Sequence, residues 1–329
     1  MSRFFAAPTR RAACVFATLA SLWAAVPALA QGYPEKPITL VVASAAGGAG
    51  DNLARVFAEE LHKRLKQPVV VENVGGASGA LGAQKVLRAP ADGYTLLFGV
   101  TGDMVLTPIA NRAAGYVTKD FTPIAKLSIT PLALAVRPGL NVTTFAQLVA
   151  LAKQRPGTLS IAISGNVSLS AFATVAVMRA AQVDLLTVPY KSPAPMMNDL
   201  LGGQVDLATA AIPALLPHVR AGKLTVVGLL SEERSPIVPE WPTLNESALV
   251  KGVSVEAWAS IAGPPNLPSA IVDKLNRTLQ DTLRDKAFVD ARTKLGDTLA
   301  APASAESFGR FLAAEEARYR QLAAGMKFD

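Results

Sequence analysis

From Ile38 onward, short β-branched runs alternate with segments of helical period, which is the pattern of layered, largely parallel α/β folds. The apolar runs predict strands at 38–43, 69–73, 95–99, 160–164, 185–188, 205–209 and 225–230. A helix is predicted over 51–65, with Leu53, Phe57, Leu61 and Leu65 on one face, and another over 144–154, with Phe145, Leu148 and Leu151 inward. Asp51 and Thr144 can each cap the helix they begin. Near the end the alternation stops: two long helical patterns, 268–283 and 304–324, follow without a convincing strand between them and read as a cover for the first lobe. Proline-rich stretches without periodicity, 128–138 and 235–242, mark places where the chain crosses between lobes or changes direction. Two crossings would assign 31–131 and 253–329 to one lobe and 132–252 to the other. About 300 residues also exceed what one core usually covers.

Polar, glycine-bearing junctions follow three of the strands. The first is Ser44-Ala45-Ala46-Gly47-Gly48-Ala49-Gly50-Asp51, a turn of small residues that opens a helix. Backbone N–H groups can face a ligand there, and the helix N-terminus adds partial positive charge, so the turn can cradle an anion or carboxylate. An ordinary turn capped by Asp51 is the alternative. It is neither a dinucleotide fingerprint, because Leu53 stands where the third glycine belongs, nor a Walker loop, which needs Gly-Lys-[Ser/Thr]. The second junction is Gly99-Val100-Thr101-Gly102-Asp103 and the third Ser164-Gly165-Asn166-Val167-Ser168-Leu169-Ser170. Junctions at strand C-terminal ends are where open α/β sheets bind ligands, and three of them predict one cleft built from both lobes.

The N-terminus changes the setting of this fold. Arg3, Arg10 and Arg11 precede an uncharged run over 12–30 that ends Ala28-Leu29-Ala30, the form of a cleaved export signal, so the mature chain is expected to begin near Gln31 in the periplasm. The single cysteine, Cys14, would leave with the signal, and the mature chain would have no disulfide or thiolate. Cys14 lies at the start of the apolar stretch rather than after it, which excludes a lipoprotein anchor. Removal of three arginines and no acids lowers the formal charge from +7 to +4, with 29 basic against 25 acidic residues. No Lys/Arg run exceeds two and the five tyrosines are scattered, so the footprint of a nucleic-acid binder is missing.

Together, Tyr33-Pro34-Glu35-Lys36-Pro37-Ile38, Gln67-Pro68-Val69-Val70-Val71-Glu72-Asn73, Ala91-Asp92-Gly93-Tyr94-Thr95, Val188-Pro189-Tyr190-Lys191, Asp199-Leu200-Leu201-Gly202-Gly203-Gln204-Val205-Asp206, His218-Val219-Arg220-Ala221-Gly222-Lys223-Leu224 and Pro242-Thr243-Leu244 resemble, in order and spacing, the Bug-type solute-binding proteins of tripartite tricarboxylate transporters. The resemblance implies a two-lobed α/β periplasmic binding protein of type II-like architecture, a hinged cleft between the lobes, no catalysis, no cofactor, and a monomer that delivers small carboxylates or related compounds to inner-membrane transporter subunits. By position, Ala45-Ala46-Gly47-Gly48 resembles the family's carboxylate-holding loop, Thr101 its second loop, and Gly165-Asn166 with Ser168 its third. Ser44, Asp103, Ser164, Tyr190 and Ala210 complete the candidate set. The chain departs from the family at Ala43-Ser44, where Pro-Phe is common, and at Gly102-Asp103-Met104, where small hydroxyl residues are. It departs again at Ile163 and Ala171, which replace a serine and a histidine, and at Ala210-Ala211, which replace an acid or amide.

Asp103 is the most consequential departure. A buried carboxylate at the pocket disfavours a second ligand carboxylate and favours a ligand donor, unless Asp103 only caps the helix after Gly102. The missing polar groups at Ala171, Ala210 and Ala211 predict an apolar wall for the ligand's far end. Of two other functions, the sequence speaks against one and leaves the other open. A hydrolase would need Gly-x-Ser-x-Gly, and Gly76-Ala77-Ser78-Gly79-Ala80 lacks the last glycine. Neither His62 nor His218 has ligand-spaced partners for a metal. A sensor that presents its closed form to a signalling protein would use the same lobe closure.

Overall fold

The computed structural model describes residues 32–165, 167–326 and 328; the predicted export signal with its cleavage point, and Asn166, lie outside the described residues. In chain order the principal elements are β1 (Ile38–Val42), α1 (Ala49–Leu65), β2 (Val69–Asn73), α2 (Ala80–Leu87), β3 (Thr95–Val100), β4 (Thr122–Val136), α3 (Phe145–Gln154), β5 (Ser160–Ile163) and α4 (Leu169–Ala181). They continue with β6 (Leu186–Pro189), α5 (Pro193–Leu201), β7 (Leu207–Ala211), α6 (Ile212–Arg220), β8 (Thr225–Leu229), β9 (Glu256–Gly263), α7 (Ser269–Arg284), α8 (Lys286–Lys294) and α9 (Ala305–Ala323).

Two lobes are joined through β4. In one lobe β2, β1 and β3 pair in parallel, β9 adds antiparallel to β3, and residues 122–131 of β4 pair with β9. From Leu132 the same strand changes partners and pairs with β7 and β8 of the second lobe, where β5 runs parallel to both β6 and β7. The sequence reads this stretch as irregular, yet it is one 15-residue strand. Pro131 stands where the strand leaves one sheet for the other, a position at which a missing N–H is tolerated.

Apolar patterning explains most of the packing. Phe57 and Leu61 of α1 and Leu275 and Leu279 of α7 cover Leu40 and Phe98 on one face of the first sheet. On the opposite face, Phe308, Leu312 and Tyr319 of α9 pack with Trp258 of β9. Helix α9 reaches past the first lobe as well, since Tyr319 meets Phe172 of α4 edge-on at 5.5 Å. Thr144 caps α3 as its position predicts: its Oγ1 accepts the Gln147 N–H at 3.2 Å while Gln147 Oε1 accepts the Thr144 N–H at 3.3 Å. Asp51 does not cap α1. The helix starts two residues earlier, at Ala49, with Gly48 at the N-cap, and Asp51 occupies the first turn.

Candidate ligand cleft

Three helices begin at the wall of one cavity of about 630 Å3. Helix α1 contributes Ala49, Gly50 and Leu53; α4 contributes Leu169, preceded by Ser168; α6 contributes Pro213 and Ala214, preceded by Ala211. The first N–H groups of a helix have no acceptor within it, and each N-terminus carries about half a positive charge. Several such ends around one volume of this size suit a small anion. The turn after β3 adds Val100, Thr101 and Gly102. The three junctions singled out in the sequence therefore all reach this cavity.

Buried Asp51 sets the shape of the first junction. Its Oδ2 accepts the Gly47 N–H at 2.8 Å and the Arg55 Nε–H at 3.2 Å, and its Oδ1 accepts from Asn73 Nδ2 at 3.0 Å. The Gly47 N–H and the Arg55 guanidinium hold this carboxyl below the usual range. Gly47 has φ of +85°, a conformation that a β-branched residue avoids. Asp51 thus ties the turn to the helix it opens and to the end of β2, leaving the loop from Ser44 to Gly48 exposed around it.

A second chamber, about 660 Å3, lies beneath that loop and adjoins the first through Gly50, Val100 and Gly102. Ser44 and Ala45 form one wall, and Gly75, Gly76, Ser78 and Gly79 form another. Four consecutive residues there, Gly76 to Gly79, have positive φ, including Ala77 at 48° and Ser78 at 55°. Non-glycine residues pay roughly 1–2 kcal/mol for that conformation, and such strain gathers at binding sites. The Thr107 hydroxyl holds the turn by donating to the Ser78 carbonyl at 2.7 Å. Asp103 lines this chamber and is buried, its Oδ1 accepting the Val100 N–H at 2.8 Å. Desolvation raises its carboxyl to about 7.

The candidate residues divide by what their side chains already do. Thr101 is at the main cavity, but its Oγ1 accepts the Trp258 N–H at 3.0 Å, so the residue offers backbone there and ties β3 to β9. Ser168 lines the cavity while its hydroxyl caps α4, accepting the Ala171 N–H at 3.1 Å and donating to the Gly165 carbonyl at 2.8 Å. The Ser164 N–H and hydroxyl both engage Ser170 Oγ, so Ser164 and Gly165 support the loop from behind. Ala46, Gly47 and Gly48 belong to the exposed rim. Two candidates have their side chains engaged within the second lobe: the Tyr190 hydroxyl donates to Asp199 Oδ2 at 2.7 Å, and Ala210 packs in that lobe's core. Its neighbour Ala211 faces the cavity instead, as strand alternation requires.

Sequence reasoning missed an entire wall. Ser128 and Thr130 of β4 and Ala257 and Ala259 of β9 line the cavity, and its far end is closed by the Arg292–Asp297 ion pair with Thr298. The β2–α2 turn was also missed, although its glycines gave a signal. Gly82 places α2 there: a Cβ on it would come within 2.8 Å of Ala43 Cα and of the Val74 carbonyl oxygen. Among the described residues, no group of three or more His, Cys, Asp and Glu is placed to hold a metal ion, and no helix is long and apolar enough to cross a membrane.

A family model described as the tripartite tricarboxylate transporter family receptor matches residues 53–326. The chain is 32% identical over 292 residues to the protein BugT of Bordetella pertussis, covering 88% of this chain and 89% of BugT. Among solved structures, a protein of R. palustris with adipate shares 32% identity at a TM-score of 0.76, covering 89% of this chain and 97% of that one. MatC of Rhodopseudomonas palustris with bound malate shares 30% at 0.73, covering 88% and 99%.

Proposed function

Because the chain belongs to the tripartite tricarboxylate transporter receptor family, we propose that it is a periplasmic receptor that captures a small carboxylate between its lobes and delivers it to the membrane subunits of that transport system. The observation that carries this reading is the meeting of the N-termini of α1, α4 and α6, drawn from both lobes, on one cavity. An anion between them neutralises partial positive charge from each lobe and so favours the closed form. The ligand's carboxylate sits on the first junction, and its remainder lies along Leu53, Leu106, Leu169 and Pro213. The lobes divide at 131/132 and 252/253, and export with cleavage near Ala30 places the receptor outside the inner membrane. Capture and release is the whole of its chemistry. Adipate and malate, held by two of the relatives, are natural first compounds to try.

A thermal-shift screen of mono- and dicarboxylates, repeated on Gly47→Val, tests this reading. A compound that binds only the folded state raises the melting temperature. Valine at φ +85° forces the first turn out of shape, and the best compound should bind at least tenfold more weakly, about 1.4 kcal/mol. Undiminished affinity in a folded Gly47→Val would show that the turn is structural only and that the carboxylate sits elsewhere.

A further inference from the structure

Among the described residues, the Asp103 carboxyl has no counter-charge. It is buried at 5% exposure, and no Lys, Arg or His pairs with it among the described residues. Its carboxyl takes backbone N–H groups, Val100's at 2.8 Å and Met104's beside it, a task that an asparagine or serine side chain performs as well. The elements packed around it bring Ala43 from the end of β1, Gly79 from the strained turn, and Tyr116, whose phenol donates to the Asp103 carbonyl and is the titratable group facing it. Gly79 allows the close approach, since a Cβ there would stand 2.7 Å from Asp103 Cβ. An unpaired carboxylate is costly to bury for structural reasons alone. This one lines a chamber that adjoins the anion-binding helix end at Gly50.

Resting on the carboxylate reading above, we infer that Asp103 selects ligands that carry a protonated nitrogen as well as a carboxylate: the carboxylate lies on the start of α1 and the ammonium enters the chamber beneath the first loop to pair with Asp103. The contact is a charge-assisted hydrogen bond in a site with little water, where such bonds are strongest. A second ligand carboxylate at the same place would meet repulsion instead. The raised pKa supplies an additional signature, because the ammonium pairs with the ionised acid. Affinity for an amino acid should rise with pH through about 7, whereas affinity for a plain carboxylate should not.

Calorimetric titration with glycine, β-alanine and 4-aminobutyrate, set against acetate, propionate, butyrate and succinate, tests the inference. At least one amino acid should bind tenfold or more tightly than its des-amino partner, and should weaken about tenfold between pH 8 and pH 6. Asp103→Asn should remove that preference and that pH dependence while leaving the plain carboxylate within about twofold. The pH series on the parent protein stands even if the variant folds poorly. Tightest binding by succinate, no preference for the amine, or an unchanged preference in Asp103→Asn would overturn the role of Asp103 and leave the receptor reading intact. Silence from both series would overturn it together with the carboxylate reading itself.

Discussion

Trp258→Ala should destabilise the protein by about 3–5 kcal/mol, the range for removing a large buried aromatic side chain. Trp258 is 2% exposed, in the strand that pairs with both β3 and β4. Its ring meets Phe308 and Phe311 of α9 edge-on at 6.2 and 5.8 Å, and its Nε1–H donates to Glu315 Oε2 at 2.9 Å. Glu315 is itself buried, paired with Arg318, and its carboxyl is pushed up by desolvation. Lys126 lies 4.1 Å above the Phe311 ring beside them. Truncation opens a cavity and strips Glu315 of a donor at the place where α9 packs on the first lobe's sheet, beside β4, the strand shared between lobes. With an unfolding entropy of about 0.6 kcal/mol/K for a chain of this size, the melting temperature should fall by roughly 5–8 °C. Trp258→Phe keeps most of the packing and loses only the donor, so it should cost about 1–3 kcal/mol. Melting of Trp258→Ala within a degree of the parent would show that this contact holds nothing.

Asp51→Ala should abolish measurable ligand binding, or weaken it well beyond the tenfold loss expected for Gly47→Val. The carboxylate holds the Gly47 N–H, Arg55 and Asn73 together, and alanine frees the Gly47 N–H and leaves Asn73 tied only to Arg55 and the Ser44 carbonyl. Asp51→Asn restores one acceptor for Gly47 and should retain part of the affinity. Because the folded-state pKa of Asp51 is depressed, its contribution is present above the ordinary carboxylate range and is lost only as pH falls below it. Titration at pH 7 and pH 5 should therefore show no loss from this residue. Affinity in Asp51→Ala equal to that of the parent would mean that the first junction holds its form without the network.

Most of the parallel framework was legible because its strands are β-branched runs set between amphipathic helices, as in Val69–Asn73, whose predicted and observed limits coincide. Two strands escaped. In β9, Glu256-Ala-Trp-Ala-Ser-Ile-Ala-Gly263 is buried on both faces and so shows no alternation, and Ile261 is the one β-branched residue in it to mark a strand. In β4, Pro131 falls in the stretch 128–138 that reads as irregular, and only the partner change there reveals why it is tolerated. Missing these strands hid the cavity wall they form. The junction loops were readable because small residues at strand ends have few other uses. Which hydroxyls remain free was not, since the bonds of Thr101 to Trp258 and of Ser164 to Ser170 depend on tertiary neighbours.

If the two lobes close around a carboxylate, a distance between them changes on binding. Val70 on β2 and Leu186 on β6 are each 54% exposed and lie on strands at opposite ends of the sheet order. Once the export segment with Cys14 is removed, Val70→Cys and Leu186→Cys supply the only two thiols for spin labels. The distance distribution should be measured with and without the carboxylate that raises the melting temperature most. Binding should shift it by several ångström to one narrower distribution, as hinge closure produces. A distribution that stays unchanged while the carboxylate is bound would contradict closure.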